Sequence, residues 1–135
     1  MFDVKYVPFT WQQFDEAVDI IVESLRVKGL MSKVSQVYGI PRGGLVLAVA
    51  LSHRLNVSLV QSLDDVIVGD GTLIVDDISD SGQTLRRFGP LGVCAATIHK
   101  VPNTVCVPDV WVFERGVNEW IVYPWEGSIN GQRKS

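Results

Sequence analysis

The 135 residues suffice for one domain with one core, an apolar share of 47% supplies that core, and two cysteines without metal-ligand spacing, Cys94 and Cys106, read as buried free thiols. Fifteen acidic against twelve unclustered basic residues argue against a nucleic-acid or membrane surface, so the expected partner is small. The start Met1-Phe2-Asp3-Val4-Lys5-Tyr6 lacks the basic-then-apolar order of a leader, and no apolar run approaches membrane-spanning length, which sets the expectation of a cytoplasmic protein.

Thr10 and Gln13 form a capping-box pattern, and Phe14, Val18, Ile21 and Leu25 recur at helical spacing, which predicts an amphipathic helix over 11–27. Gln36 to Ile40 reads as a short strand entering the turn Pro41-Arg42-Gly43-Gly44, followed by an apolar helix from Leu45 to Leu55. Val57 to Gln61 is a weaker strand. Thr72-Leu73-Ile74-Val75 reads as a buried strand that ends on Asp76-Asp77, then a Ser81-Gly82 turn and a short helix from Thr84 to Phe88, stopped by Gly89-Pro90. Val93 to His99, Val110 to Phe113 and Trp120 to Tyr123 complete the strands, and the polar end over 128–135 reads as a frayed tail. The alternation implies one α/β domain over 1–135, a mostly parallel twisted sheet flanked by helices.

The chemistry concentrates in Val75-Asp76-Asp77-Ile78-Ser79-Asp80-Ser81-Gly82-Gln83-Thr84. Three carboxylates behind so apolar a strand repel one another unless a cation or hydroxyl groups partner them. Strand-end acids suit vicinal ribose hydroxyls or the water shell of Mg²⁺. The small-residue turn, with backbone N–H groups over 81–84 and the Ser81 and Thr84 hydroxyls, suits a phosphate. The earlier turn has no Lys-Ser/Thr ending and so is no P-loop. Its two glycines still make a nest for diphosphate oxygens, and Arg42 adds a permanently charged planar fork.

The acidic stretch resembles the phosphoribosyl-diphosphate signature of the type I phosphoribosyltransferases: two acids, two residues, then Asp-Ser-Gly-x-Thr. The resemblance implies that family's fold with a small base-binding segment over about 100–127. It implies contacts of Asp76 and Asp77 with the ribose hydroxyls, of Ser81, Gly82, Gln83 and Thr84 with the 5′-phosphate, and of Asp80 with the purine near N7. Pro41, Arg42, Gly43 and Gly44 match the diphosphate loop. The C-terminal part is similar to that of xanthine-guanine and hypoxanthine-guanine enzymes, where Lys100 matches the donor to the purine O6, Trp120 the stacking aromatic and Ile121 the residue facing the exocyclic 2-position. Glu126 matches an acid close to Mg²⁺, which Asp77 would share.

Implied, then, is Mg²⁺-dependent transfer of 5-phosphoribose from phosphoribosyl diphosphate to a 6-oxopurine in a homodimer or higher homo-oligomer, with Asp80 and Arg42 as the catalytic pair. The family inserts a long mobile loop before the acidic strand. Here the span Val57 to Gly71 contains no Lys, Arg or Tyr, so nothing carries over from that loop. The shortening favours, as an alternative, a phosphoribosyl-diphosphate-binding regulator of the same fold. A receiver-like phosphoacceptor domain is a distant alternative, since the acid pair lies mid-chain rather than near the N-terminus. His53 and His99 have no base or nucleophile partner in sequence and are expected to be non-catalytic.

Overall fold

The structure, a computed structural model, describes residues 3–66 and 71–127, so the expected frayed tail lies outside the described residues. In chain order the elements are β1 (Lys5–Pro8), α1 (Trp11–Val27), β2 (Gln36–Gly39), α2 (Leu45–Leu55), β3 (Ser58–Val60), β4 (Thr72–Ser79), α3 (Gln83–Phe88), β5 (Cys94–Lys100), β6 (Val110–Glu114) and β7 (Glu119–Val122). The expected capping box forms: Gln13 N–H donates to Thr10 Oγ1 at 3.0 Å, and Thr10 N–H donates to Gln13 Oε1 at 2.8 Å.

Five strands pair in parallel in the order β3-β2-β4-β5-β6. Side chains of β4 alternate between the two faces, as a two-residue period requires. Leu73 and Val75 join the larger core beneath α1 and α2, with Ile21, Leu25, Leu47 and Leu51. Ile74 joins a smaller core with Leu85 of α3, Tyr38 and Ala95. Burying each of these large side chains is worth about 1.5–3 kcal/mol, which fixes the register of the central strand.

The chain runs from β2 through α2 to β3 on one side and then crosses back to β4 on the other. Strand order therefore reverses between β2 and β4, and a crevice opens at their carboxyl ends. Both sequence motifs, the 41–44 turn and the 76–84 stretch, lie there.

Two features differ from the sequence reading. The strand around Trp120 forms, but β7 leaves the main sheet and pairs in parallel with β1, Tyr6 opposite Trp120 and Val7 opposite Ile121. β1 is nearly all exposed and carries no apolar alternation, so sequence pattern gave no sign of it. β4 also runs on to Ser79, so the acid pair sits within the strand rather than just beyond it. No helix among the described residues is long and apolar enough to cross a membrane.

Candidate active site

The 41–44 turn lies flat on β4. Ile40 N–H donates to the Val75 carbonyl at 2.9 Å, and Gly44 N–H donates to the Ile40 carbonyl at 2.8 Å. A Cβ on Gly44 would stand 2.4 Å from the Val75 oxygen, and one on Gly43 would stand 2.4 Å from Asp77 Oδ2. Only glycine permits this approach, and it presses the turn against the acid pair. Pro41 and Arg42 remain exposed on the rim.

Asp76 and Asp77 are half-buried, and each backbone N–H after them folds onto a carboxylate: Asp77 N–H on Asp76 Oδ1 at 2.9 Å, Ile78 N–H on Asp77 Oδ1 at 2.8 Å. Burial pushes Asp76 up to about 8, with the charge of Asp77 adding to the rise. Burial pushes Asp77 up as well. Among the described residues neither carboxylate has an ion-pair partner. Hydroxyl donors or a cation would relieve the repulsion between two acids crowded in this way.

The second turn is buttressed from the loop after β5. Gly82, at φ +91°, is in a left-handed conformation, and a Cβ there would meet Thr104 Oγ1 at 2.4 Å. Ser79 Oγ donates to the Cys106 carbonyl at 2.8 Å, Val105 N–H donates to the Ser81 carbonyl at 3.0 Å, and Gln83 N–H donates to Ser81 Oγ at 3.2 Å. Ser81, Gln83 and Thr84 stay exposed around the turn.

Three cavities meet at the acids. One of about 690 Å³ lies over Pro41, Arg42, Gly43, Asp76, Asp77 and Glu126. A second of about 70 Å³ is lined by Asp76, Asp80, Ser81, Gly82 and Thr84. The third, of about 190 Å³, is walled by Asp77, Asp80, Arg115, Trp120, Ile121 and Glu126. The arrangement suits one elongated ligand with a charged group at each end and a flat group in the third cavity. Gly44 supports the first cavity from behind, and Gln83 opens α3 beside the second.

Side chains from the end of the chain build the third cavity. Trp120 is 45% exposed with its indole at the cavity, and Ile121 beside it is buried. Tyr123 stacks on Trp125 with ring centroids 4.9 Å apart. Its hydroxyl bonds His99 Nδ1 at 2.8 Å and donates to the Asp77 carbonyl at 3.2 Å, so this wall is tied to the acid strand. Glu126 accepts from Tyr123 N–H at 3.0 Å, which holds its carboxylate at the junction of two cavities.

One expected site residue is not brought to this cavity. Lys100 is 7% exposed, pairs with Glu114 Oε2 at 2.8 Å and lies over the Trp111 ring at 4.6 Å. The cause is register: Lys100 and Glu114 are direct partners on β5 and β6, and a buried ammonium takes the carboxylate opposite it. Among the described residues the cation at the cavity is Arg115, which pairs with Asp80 at 3.1 Å and which sequence pattern did not single out. Its only sequence signal was a base followed by glycine at the end of a strand. His53 is exposed on α2, and burial holds His99 down at about 4, so that ring is neutral near pH 7. Cys94 is buried and Cys106 half-buried, both as free thiols.

A scan against models of protein families found no match. Among known proteins, the chain is 32% identical over 116 residues to the xanthine-guanine phosphoribosyltransferase of Cereibacter sphaeroides, covering 69% of this chain and 70% of that one. It is 27% identical over 145 residues to the enzyme of the same name from Nitratidesulfovibrio vulgaris strain Hildenborough, covering 93% and 87%. Among solved structures it matches a purine phosphoribosyltransferase from Pyrococcus horikoshii with a TM-score of 0.73 and 32% identity, over 91% of this chain and 95% of that one. A xanthine-guanine-hypoxanthine enzyme from Helicobacter pylori, at 17% identity and a TM-score of 0.69, shares the fold.

Proposed function

The chain belongs to the type I phosphoribosyltransferases and is an enzyme of their purine-using kind, with xanthine-guanine enzymes among its relatives, and from that premise we propose that it transfers 5-phosphoribose from phosphoribosyl diphosphate to guanine, hypoxanthine or xanthine. Membership removes the receiver-like alternative. The observation that supports the substrate reading best is the meeting of three cavities at one acid pair that has no ion-pair partner among the described residues.

In this reading Asp76 and Asp77 accept hydrogen bonds from the two ribose hydroxyls, and the Ser81–Thr84 turn takes the 5′-phosphate. The 41–44 turn and Arg42 receive the diphosphate as it leaves C1′, while the base approaches from the Trp120 side. Trp120 stacks on the base, the Ile121 backbone faces its 2-position, and Asp80 holds the proton that shifts near N7. Charge develops on the sugar between the acid strand and the two turns, so positioning and electrostatics carry the step without a covalent enzyme intermediate.

Mg²⁺ fits the residues present. Asp77 and Glu126 bring carboxylate oxygens to the same two cavities. Among the described residues no cluster of three or more candidate ligands converges, and Mg²⁺ is commonly held by one or two carboxylates with water and substrate phosphates. Bound there, it would neutralise charge on the departing diphosphate.

The test is thermal unfolding with phosphoribosyl diphosphate and Mg²⁺ or with guanosine 5′-monophosphate. The parent chain is expected to be stabilised by each, and Asp76→Asn with Asp77→Asn to lose both responses. An equal response in the double variant contradicts the ribose assignment. Binding without turnover of any purine favours a regulator of the same fold, the reading that the short β3–β4 connection supports.

A further inference from the structure

We propose that Arg115, rather than Lys100, is the residue by which the base cavity selects a carbonyl over an amino substituent. The inference deepens the phosphoribosyl-transfer reading and rests on it. Among the described residues Arg115 lines the 190 Å³ cavity, with Trp120, Ile121 and Asp80, and Lys100 does not. The ammonium of Lys100 is already matched by Glu114 and covered by Trp111.

Arg115 is held by its backbone. Its N–H donates to the Lys100 carbonyl at 2.9 Å, and the turn after it is closed by Gly116 N–H on Glu119 Oε1 at 2.8 Å. Its side chain is 13% exposed, with Nη1 and Nη2 at 3.1 and 3.5 Å from the two Asp80 oxygens. Nε is buried and has no hydrogen-bond partner among the described residues. An unmatched donor on a permanently charged group is expensive to bury, and the two partnered nitrogens hold the guanidinium against Asp80 at the cavity.

A guanidinium has five donors and no acceptor. It pairs with an oxo group and opposes an amino group, so the wall discriminates by leaving the wrong base with donor facing donor. Asp80 is 53% exposed and keeps lone pairs free for the base while it orients Arg115, so one carboxylate serves both. The selecting cation is therefore tied to the residue that handles the proton on the same ring.

The experiment is calorimetric titration of guanosine, inosine and adenosine 5′-monophosphates into the parent chain, Arg115→Leu, Arg115→Lys and Lys100→Met, each checked for cooperative unfolding. The parent is expected to favour the two oxo nucleotides. Arg115→Leu should weaken those two on the order of tenfold to a hundredfold and leave the adenosine nucleotide nearly unchanged. Arg115→Lys should keep part of the preference, and Lys100→Met should keep most of it. A folded Arg115→Leu with the parent's preference, or a Lys100→Met that loses it, overturns the proposal. Should Arg115→Leu fail to fold, the Arg115→Lys and Lys100→Met pair still decides: a larger loss of preference in Lys100→Met than in Arg115→Lys overturns it. A parent that binds no nucleotide at all brings down the transfer reading and this proposal together, whereas the other failures leave the transfer reading standing.

Discussion

The wall of the crevice that we assign to the ribose is fixed by backbone against backbone, with Gly44 against the Val75 carbonyl, Gly82 against the loop at Thr104–Cys106 and β4 at the centre of five parallel strands. The wall that we assign to the base combines a separate two-stranded sheet, β1 with β7, with the end of β6, and it presents mostly side chains: Trp120 half-exposed, Arg115 held by Asp80, Tyr123 bridging His99 and Asp77. The first wall leaves no room for a side chain at its glycines and, in the proposed function, presents donors and acceptors to the part of the substrate common to every base. The second can be altered one side chain at a time, which is where a choice among bases belongs.

The same substitution on the two walls breaks or sharpens this contrast. Gly44→Ala drives a Cβ into two backbone atoms, Val75 O and Ile40 N, and should cost about 3 kcal/mol in urea unfolding with an unchanged slope. Gly116→Ala meets the end of the Glu119 side chain, which can turn away, and should cost under about 1 kcal/mol. Equal costs would mean that the ribose wall is no more rigid than the base wall.

Beneath the base wall, His99 packs on Phe9, Phe113 and Tyr123, and burial holds it at about 4 against 6.5 in the open chain. Between those values the unfolded state binds more protons. The neutral ring's contribution is therefore complete above pH 6.5 and is lost as pH falls toward 4, by up to roughly 3 kcal/mol. The difference between the stability curves of the parent and His99→Gln should widen with rising pH across that window and flatten above it. A constant difference would show that His99 is not held neutral by its packing.

The smallest stability effect is expected at Trp120, with a clear effect on binding. Trp120→Ala should weaken purine nucleotides about tenfold and change folding stability by less than about 1 kcal/mol, because the indole is half-exposed before a base arrives. Phosphoribosyl diphosphate, which has no base, should bind the variant as it binds the parent. Calorimetry with both ligands separates the walls, and equal losses for both would join them.

The contrast also explains what the sequence could reveal. Helices over 11–27 and 45–55 were legible because caps and apolar period are local, and the acid motif was legible because its parts are contiguous. β1 was missed because its pairing with β7 joins opposite ends of the described chain and neither strand shows an alternating pattern. Lys100 was expected at the cavity and is not found there, because register across β5 and β6 gives it a carboxylate partner, a fact of pairing that no single segment records; Arg115, which lines the cavity, carried no such expectation. The short connection before β4 was visible in sequence, and part of it, residues 67–70, lies outside the described residues.

The central claim is most directly tested by incubating the full chain with phosphoribosyl diphosphate, Mg²⁺ and guanine, and following nucleotide, diphosphate and free ribose phosphate together. The account predicts diphosphate equal to the sum of nucleotide and free ribose phosphate, the latter formed by loss of substrate to water because the span between Leu55 and Thr72 is too short for a full lid. Asp76→Asn with Asp77→Asn should reduce nucleotide formation by about a hundredfold or more. No nucleotide from guanine, hypoxanthine or xanthine, or undiminished formation in the double variant, would contradict it.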